Sequence, residues 1–332
     1  MCSGETPLRV LDPWNGSGTT TQIAYELGHQ AIGFDLNPVM VLVAKARTLE
    51  THAKSDLNAA VEQLLDRLTT GSGILPGEPL GQWLGPRTAK VFRQIERAVH
   101  SEFVPPHFDD TLATRKSLAS VTGLAAFFYV ALFRTLTGTL SAFRVSNPTW
   151  IKAPLNEHDK VTIGRSDILK LFRAEVATMT DLIRAERPRE STDVPPPILD
   201  TGTSSALSLK ERSIDLVVGS PPYCTRIDYV IKTAPELALL GASDQRTREL
   251  RDLMIGTPTI TPEAPTAIPA WGPTCISLLS QIYDHPSRAS QSYYWKTYLQ
   301  YFDGLFRSLN EIGRVPDATG HRATPAVEDP GS

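Results

Sequence analysis

Two hydrophobic patterns alternate over the first fifty residues. LRVLD, from residue 8, and QAIGFDLN, from residue 30, are short apolar runs of strand length, and each reaches an acid near its end. Between them TTQIAYELG has helical spacing and closes on Gly28, suited to the turn that follows a helix. PVMVLVAKARTLE opens with Pro38, whose fixed φ suits a first helical turn. The strand–helix–strand–helix order predicts a parallel sheet covered by helices. The pattern changes after residue 50. Helical spacing dominates to about residue 190, broken by LTTGSGILPGEPLG and EFVPPHFDD, and a rigid linker, DVPPP, follows at 193–197. Strand patterns return in ILDTGTSSALSL and SIDLVVGSPPY, and IDLVVG reads as a buried strand. Residues 254–290 are rich in Pro, Thr and Ser and read as a long loop. SYYWKTYLQYFDGLFRSLNEIG reads as an amphipathic helix, with Tyr294, Tyr298, Tyr301, Leu305 and Leu309 near helical spacing. The tail, 316–332, is polar, has no strand pattern and is expected to be disordered. No internal repeat is evident.

Composition narrows the picture. Of the 332 residues, 41% are hydrophobic and 21% charged, which excludes global disorder, collagen-like chains and coiled coils. The most apolar stretch, GLAAFFYVALF at 123–133, falls short of the roughly 20 residues of a membrane span and runs into Arg134, so it reads as a buried core helix. Cys2, Cys224 and Cys275 are far apart, which speaks against a disulfide scaffold or structural zinc and fits a reducing, cytoplasmic setting. The N-terminus lacks the basic start and apolar run of a signal peptide. His29, His52, His100, His107 and His158 have no metal-ligand spacing and read as surface or capping residues; no metal is expected. Lys and Arg number 33 against 36 Asp and Glu, a net charge of −3. Nucleic acid would therefore need a local basic patch or a partner subunit.

Two segments carry candidate chemistry. DPWNGSGTT joins a strand to a helix, where glycines let backbone N–H groups approach a ligand. Thr21 stands where a dinucleotide fingerprint wants its third glycine, and no Lys follows Gly18 as a P-loop requires, so NAD and ATP are disfavoured. Asp35, at the end of the second strand, can accept both ribose hydroxyls of a nucleoside cofactor. Ser220-Pro221-Pro222-Tyr223 follows IDLVVG directly. Its prolines stiffen a loop at the sheet's carboxyl edge while leaving carbonyls free. A carbonyl and a hydroxyl can accept from an amino group, and the Tyr ring can stack on a planar base. That set suits the exocyclic amine of a nucleobase lifted from its helix.

Together the two segments resemble a known family. VLDPWNGSGTTTQIAYELGHQAIGFDLNP, at 10–38, resembles the cofactor motif of DNA amino-methyltransferases, which transfer a methyl group from S-adenosylmethionine to N4 of cytosine or N6 of adenine. SIDLVVGSPPY, at 213–223, resembles their catalytic motif. The resemblance covers 8–47 and 198–232, more loosely 291–314, and not the insertion. It implies an α/β fold: a Rossmann-like methyltransferase sheet with a mostly helical insertion. Residues 1–50 would be its cofactor-binding first half, 51–192 the insertion and candidate target-recognition region, 193–315 the catalytic second half and 316–332 the disordered tail. It implies cofactor binding by Asp12, Pro13, Trp14, Gly16, Ser17, Gly18, Thr19, Thr20, Asp35 and Asn37, with Asp12, Gly16 and Gly18 along the methionine part. Ser220, Pro221, Pro222 and Tyr223 would be catalytic and hold the base. Ser220 leans towards N4 of cytosine, since adenine enzymes more often carry Asp there. The implied step is in-line attack of the amine on the sulfonium methyl, driven by positioning. Methylation at carbon 5 would need a Pro-Cys nucleophile, and the chain contains no such pair; Cys224 reads as a small wall residue.

The pattern also departs from that family. An acid near the cofactor adenine is usual on the strand before the catalytic one. SSAL, at 204–207, stands there instead, with Asp200 as the candidate substitute. Another strand and a closing hairpin would follow Arg314, and RVPDATGHRATPAVEDPGS does not read that way. The C-terminal strands are thus expected to be missing, as in a fragment, a frameshifted product or half of a two-chain enzyme. Arg226 and Lys232 after SPPY, and Arg144, Asn147 and Trp150 in FRVSNPTWIK, flanked by Arg134 and Lys152, are the residue types that contact phosphates and bases. A solvated helix face explains the charges as well. The implied partner is double-stranded DNA, with a restriction or defence partner or a second methyltransferase chain. RNA amino-methyltransferases share a related motif with Asp first and Gly after the Tyr. Here Ser220, Cys224 and the early cofactor strand favour DNA. The rival outside enzymes is an inactive regulatory subunit of the same fold.

Overall fold

The computed structural model describes residues 6–49, 57–68, 77–106, 111–143, 151–185, 194–224, 227–261 and 265–323, with side chains as far as 317. Its centre is a parallel sheet of β1 (Arg9–Asp12), β2 (Gln30–Asp35), β3 (Ile198–Thr201), β4 (Ile214–Val218) and β5 (Pro316–Ala323), in the order β3-β2-β1-β4-β5. Val10 lies opposite Ala31 on one side and Leu216 on the other, and Val10 and Leu11 are fully buried, as a central parallel strand requires. The chain runs outward from β1 through β2 to β3, and its later strands fill the other side. The order therefore reverses between β1 and β4, and such sheets bind ligands beyond the carboxyl ends of the strands at that point. The Rossmann-like sheet expected from the sequence is present.

α1 (Thr19–Glu26) and α2 (Pro38–Arg47) follow β1 and β2 as their patterns predict. Gly28, at φ 83°, ends the first of these segments. The insertion supplies α3 (Leu57–Asp66), α4 (Pro86–Phe103), α5 (Gly123–Thr139) and α6 (Arg165–Ala185). α5 is the apolar segment; its Phe127, Phe128 and Tyr129 are inaccessible to solvent. One core joins them to Val41 and Leu42 of α2 and to Leu237 and Leu239 of α8 (Ala234–Leu239), so the insertion is built onto the sheet's helical layer. Each such side chain contributes about 1.5–3 kcal/mol on burial. Arg93 of α4 adds a polar tie. Its guanidinium bonds Glu78 at 2.8 and 3.1 Å and Glu96 at 3.0 Å, and donates to the Ala238 and Leu239 carbonyls at 2.9 and 2.7 Å. Those carbonyls lie at the end of α8, where the Ala238 carbonyl also accepts from the Gly241 N–H at 3.0 Å. No helix among the described residues is long and apolar enough to cross a membrane.

Four expectations are corrected. Residues 316–323 form a strand parallel to β4, where the polar sequence gave no pattern; the backbone ladder on β4's open edge replaces side-chain patterning. Within 254–290, expected to be loop, lies the helix α10 (Pro273–Asp284), with proline at its first turn. α11 (Trp295–Arg314) forms as expected, but Tyr294 and Leu309 are exposed, and Thr297, Leu299, Gly304, Ser308 and Ile312 are the residues it buries. His100 is not a surface or capping residue. Its ring meets the Tyr129 hydroxyl at 3.2 Å, and that hydroxyl donates to Glu96 at 3.0 Å.

Candidate active site at the carboxyl ends of β1 and β4

β1 delivers Asp12 to the sheet edge, where the chain turns sharply. Gly16 at φ 49° and Gly18 at φ 84° adopt backbone that other residues avoid. A Cβ on Gly18 would sit 2.7 Å from that of Ala44, so glycine also lets α1 pass close to α2. Asn15 seats the turn on β2. Its N–H donates to the Phe34 carbonyl at 2.9 Å, and its side chain lies where a Cβ on Gly33 would fall.

Two acids define this half of the site. Asp35 accepts from the Gly16 N–H at 2.9 Å and the Asn37 N–H at 2.8 Å, joining the turn to the start of α2. Burial pushes its carboxyl up to about 6 against those two bonds, and the Asp12 charge adds to the rise. Asp12 accepts from the Trp14 N–H at 3.0 Å. Burial pushes it to about 6 as well, opposed by the Thr20 hydroxyl and the Trp14 N–H. Neither acid has an ion-pair partner among the described residues, so the charge that suits this half is positive.

β4 brings the second half alongside. A Cβ on Gly219 would lie 3.0 Å from Asp12 Oδ1 and 3.2 Å from Pro13, which sets the SPPY loop against the glycine turn. Pro13, Trp14, Gly16, Asp35, Asn37 and the four SPPY residues wall one cavity of about 370 Å³, with Lys232 at its exposed rim. That volume is within the range of small-molecule sites, about 300–1,000 Å³. Tyr223 is half-exposed. α7 (Tyr229–Lys232) closes one side, capped by Asp228, which also takes a 2.8 Å bond from Arg251 of α9 (Asp244–Leu253). Burial, with Tyr223 and Asp35 nearby, raises the Tyr229 hydroxyl above its ordinary value.

The remaining candidates fall elsewhere. Asp12, Ser17, Gly18, Thr19 and Thr20 stand outside the cavity wall; Asp12 lies behind it, and Thr19 and Thr20 begin α1. Asn37 reaches the wall but uses its side chain within the protein, accepting from Val39 N–H at 3.0 Å and donating to Thr233 at 2.8 Å. Asp200 does not substitute for the missing acid. Its carboxylate turns from the cavity to accept from Ser117 and Leu118 at 2.6 and 2.5 Å, and Gly202, Thr203 and Ser204 face the cavity there. Arg134 pairs with Glu175 at 2.6 Å. Arg144, Asn147, Trp150 and Arg226 lie outside the described residues. No cluster of His, Cys, Asp or Glu able to hold a metal occurs among the described residues.

Sequence reasoning missed Tyr229, Thr233 and the turn after α9. Leu253, Met254 and Ile255 line the cavity opposite α2. Gly256, at φ 78°, packs on the SPPY loop so closely that a Cβ would lie 2.2 Å from the Tyr223 carbonyl oxygen. An isolated glycine in a Pro/Thr-rich stretch was the one available signal.

The chain is similar to a Type II methyltransferase. Over 271 residues it is 24% identical to Type II methyltransferase M.BsoBI of Geobacillus stearothermophilus, covering 77% of this chain and 51% of that protein. The chain thus spans about half the length of the curated relative it matches. No family model and no solved structure matches it.

Proposed function

We propose that this chain is an S-adenosylmethionine-dependent DNA methyltransferase acting on an exocyclic amine, N4 of cytosine ahead of N6 of adenine. One observation carries the reading: a single cavity at the sheet's switch point joins the glycine turn and Asp35 to the SPPY loop. The likeness to a Type II methyltransferase supports methyl transfer and a restriction–modification or defence setting. The donor set fits the cofactor. Asp35 faces the cavity with a carboxylate for ribose hydroxyls, and two buried acids without a cationic partner favour a positively charged ligand. When bound, S-adenosylmethionine supplies an electrophilic methyl on its sulfonium. Ser220 Oγ and the Pro221 carbonyl accept the amine's hydrogens and aim its lone pair, while the Tyr223 ring stacks on the base. Leu36, Met40 and the buried Met254 give the cavity an apolar wall. Lys232 at the rim suits a phosphate, and Arg226, Arg144, Asn147 and Trp150 stay assigned to nucleic-acid contacts.

A non-catalytic subunit is the second reading, favoured by the cavity's lack of an acid at Thr203–Ser204. Labelled S-adenosylmethionine offered with mixed-sequence duplex DNA, and separately with transfer RNA, separates the readings. Label on DNA supports the proposal and label on RNA alone redirects it. No label with the cofactor bound favours the subunit.

A further inference from the structure

We propose that Asn37 and Thr233 form a latch that couples the two halves of the site, so that a ligand held at Asp35 tightens the grip on the nucleic acid. The inference rests on the methyltransferase reading above and concerns positioning residues, not groups that touch the reacting atoms. Asn37 and Thr233 are 196 residues apart in sequence, and both are buried, at 4% and 8% exposure. Asn37 serves three partners. Its N–H donates to Asp35 Oδ1 at 2.8 Å, its side-chain oxygen caps α2 through Val39 at 3.0 Å, and its amide Nδ2 donates to Thr233 Oγ1 at 2.8 Å. Thr233 passes its own hydrogen to the Tyr229 carbonyl at 3.1 Å, which leaves its oxygen free to accept from Asn37. Hydrogen bonds therefore run unbroken from the Asp35 carboxylate to the backbone of α7, which carries Tyr229 and Lys232 on the cavity wall.

Capping alone does not call for asparagine. Asp or Ser would cap α2 as well. A carboxylate there would have no hydrogen to give, whereas the asparagine amide caps through Oδ1 and donates through Nδ2 on the far side of the site. The latch is the side-chain hydrogen bond that joins the segment after β2 to the segment after the SPPY loop. A ligand that fixes Asp35 fixes the α2 start, and through Thr233 it fixes α7. By linkage, nucleic acid must then tighten the nucleoside ligand by the same factor.

The test measures duplex-DNA affinity with and without S-adenosylhomocysteine, an unreactive probe, in wild type, Thr233→Val and Thr233→Ser. One hydrogen bond's worth of coupling predicts roughly 3- to 10-fold tighter DNA binding by the loaded wild type. Thr233→Val, nearly isosteric, should bring that ratio close to one; Thr233→Ser, which keeps the hydroxyl, should restore it. Thermal unfolding checks that each variant is folded, and Asn37→Ser, which keeps a capping oxygen without the amide, replaces Thr233→Val if that variant does not fold. A ratio unchanged in Thr233→Val, or a wild-type ratio of one with both ligands bound, overturns the latch and leaves the methyltransferase reading intact. Failure of wild type to bind S-adenosylhomocysteine overturns that reading, and the latch with it.

Discussion

Acidification should weaken cofactor binding, and Asp35→Asn should flatten the response. Asp35 titrates at about 6 in the ligand-free fold, so it is about nine-tenths ionised at pH 7 and about one-tenth at pH 5. If the ribose hydroxyls need the carboxylate, affinity falls about tenfold across that interval. Asp12, held at about the same value, adds up to another tenfold if it too must be ionised. Stability of the free protein moves the other way. The folded-state value lies about two units above the ordinary 3.8, so the protonated form favours the fold. That contribution is fully present below about pH 4 and is lost as pH rises through about 6, at most about 3 kcal/mol for Asp35. Asp35→Asn removes the ionisation and leaves one of the Gly16 and Asn37 N–H groups facing an amide hydrogen. Losing charged hydrogen bonds worth about 1.5–3 kcal/mol lowers cofactor affinity at pH 7 by roughly 10- to 100-fold. Calorimetric titration with S-adenosylmethionine at pH 5, 6 and 7, in buffers of different ionisation enthalpy, reads affinity and proton release together. Affinity that is flat or rises towards pH 5 in wild type refutes the reasoning, as does unchanged affinity in the variant.

Three more outcomes follow from the same geometry. Tyr223→Ala should lower methyl transfer roughly 5- to 150-fold while cofactor affinity stays within about twofold, because a stacking platform worth roughly 1–3 kcal/mol is lost from the base side alone; wild-type transfer makes SPPY a mere turn. Gly256→Ala should lower kcat with cofactor affinity kept, since the new Cβ would meet the Tyr223 carbonyl at 2.2 Å in a left-handed backbone position. Wild-type kinetics in a folded variant would remove Gly256 from the account. Arg93→Ala should cost about 3–5 kcal/mol in urea unfolding, because Glu78 and Glu96 lose their shared buried partner. A loss below about 1 kcal/mol would mean the network is relaxed by water.

Legibility followed the range of the interactions. β1, α1, β2 and α2 were readable because short-range patterning forms them, and the acids at the strand ends, with SPPY after β4, pointed to the carboxyl edge of the sheet where the cavity lies. β5 was not readable: polar residues carry it, and the ladder on β4 holds it through the backbone. The buried face of α11 was misread because the small residues Thr297, Gly304 and Ser308 share it with Leu299 and Ile312; Gly304 lies where Ile255 packs. Asp200 had the right chemistry in the right strand but turned towards Ser117, which the strand's own sequence does not reveal. Gly256 and Thr233 matter only through contacts that cross 33 and 196 residues, to Tyr223 and Asn37, and local patterning cannot register those.

The most direct measurement digests duplex DNA after incubation with the protein and S-adenosylmethionine, and identifies the modified nucleoside by mass spectrometry. N4-methylcytosine is the predicted product, with N6-methyladenine the variant that keeps the mechanism and changes the base. 5-Methylcytosine, or unmodified DNA from a protein that binds the cofactor, would contradict the account.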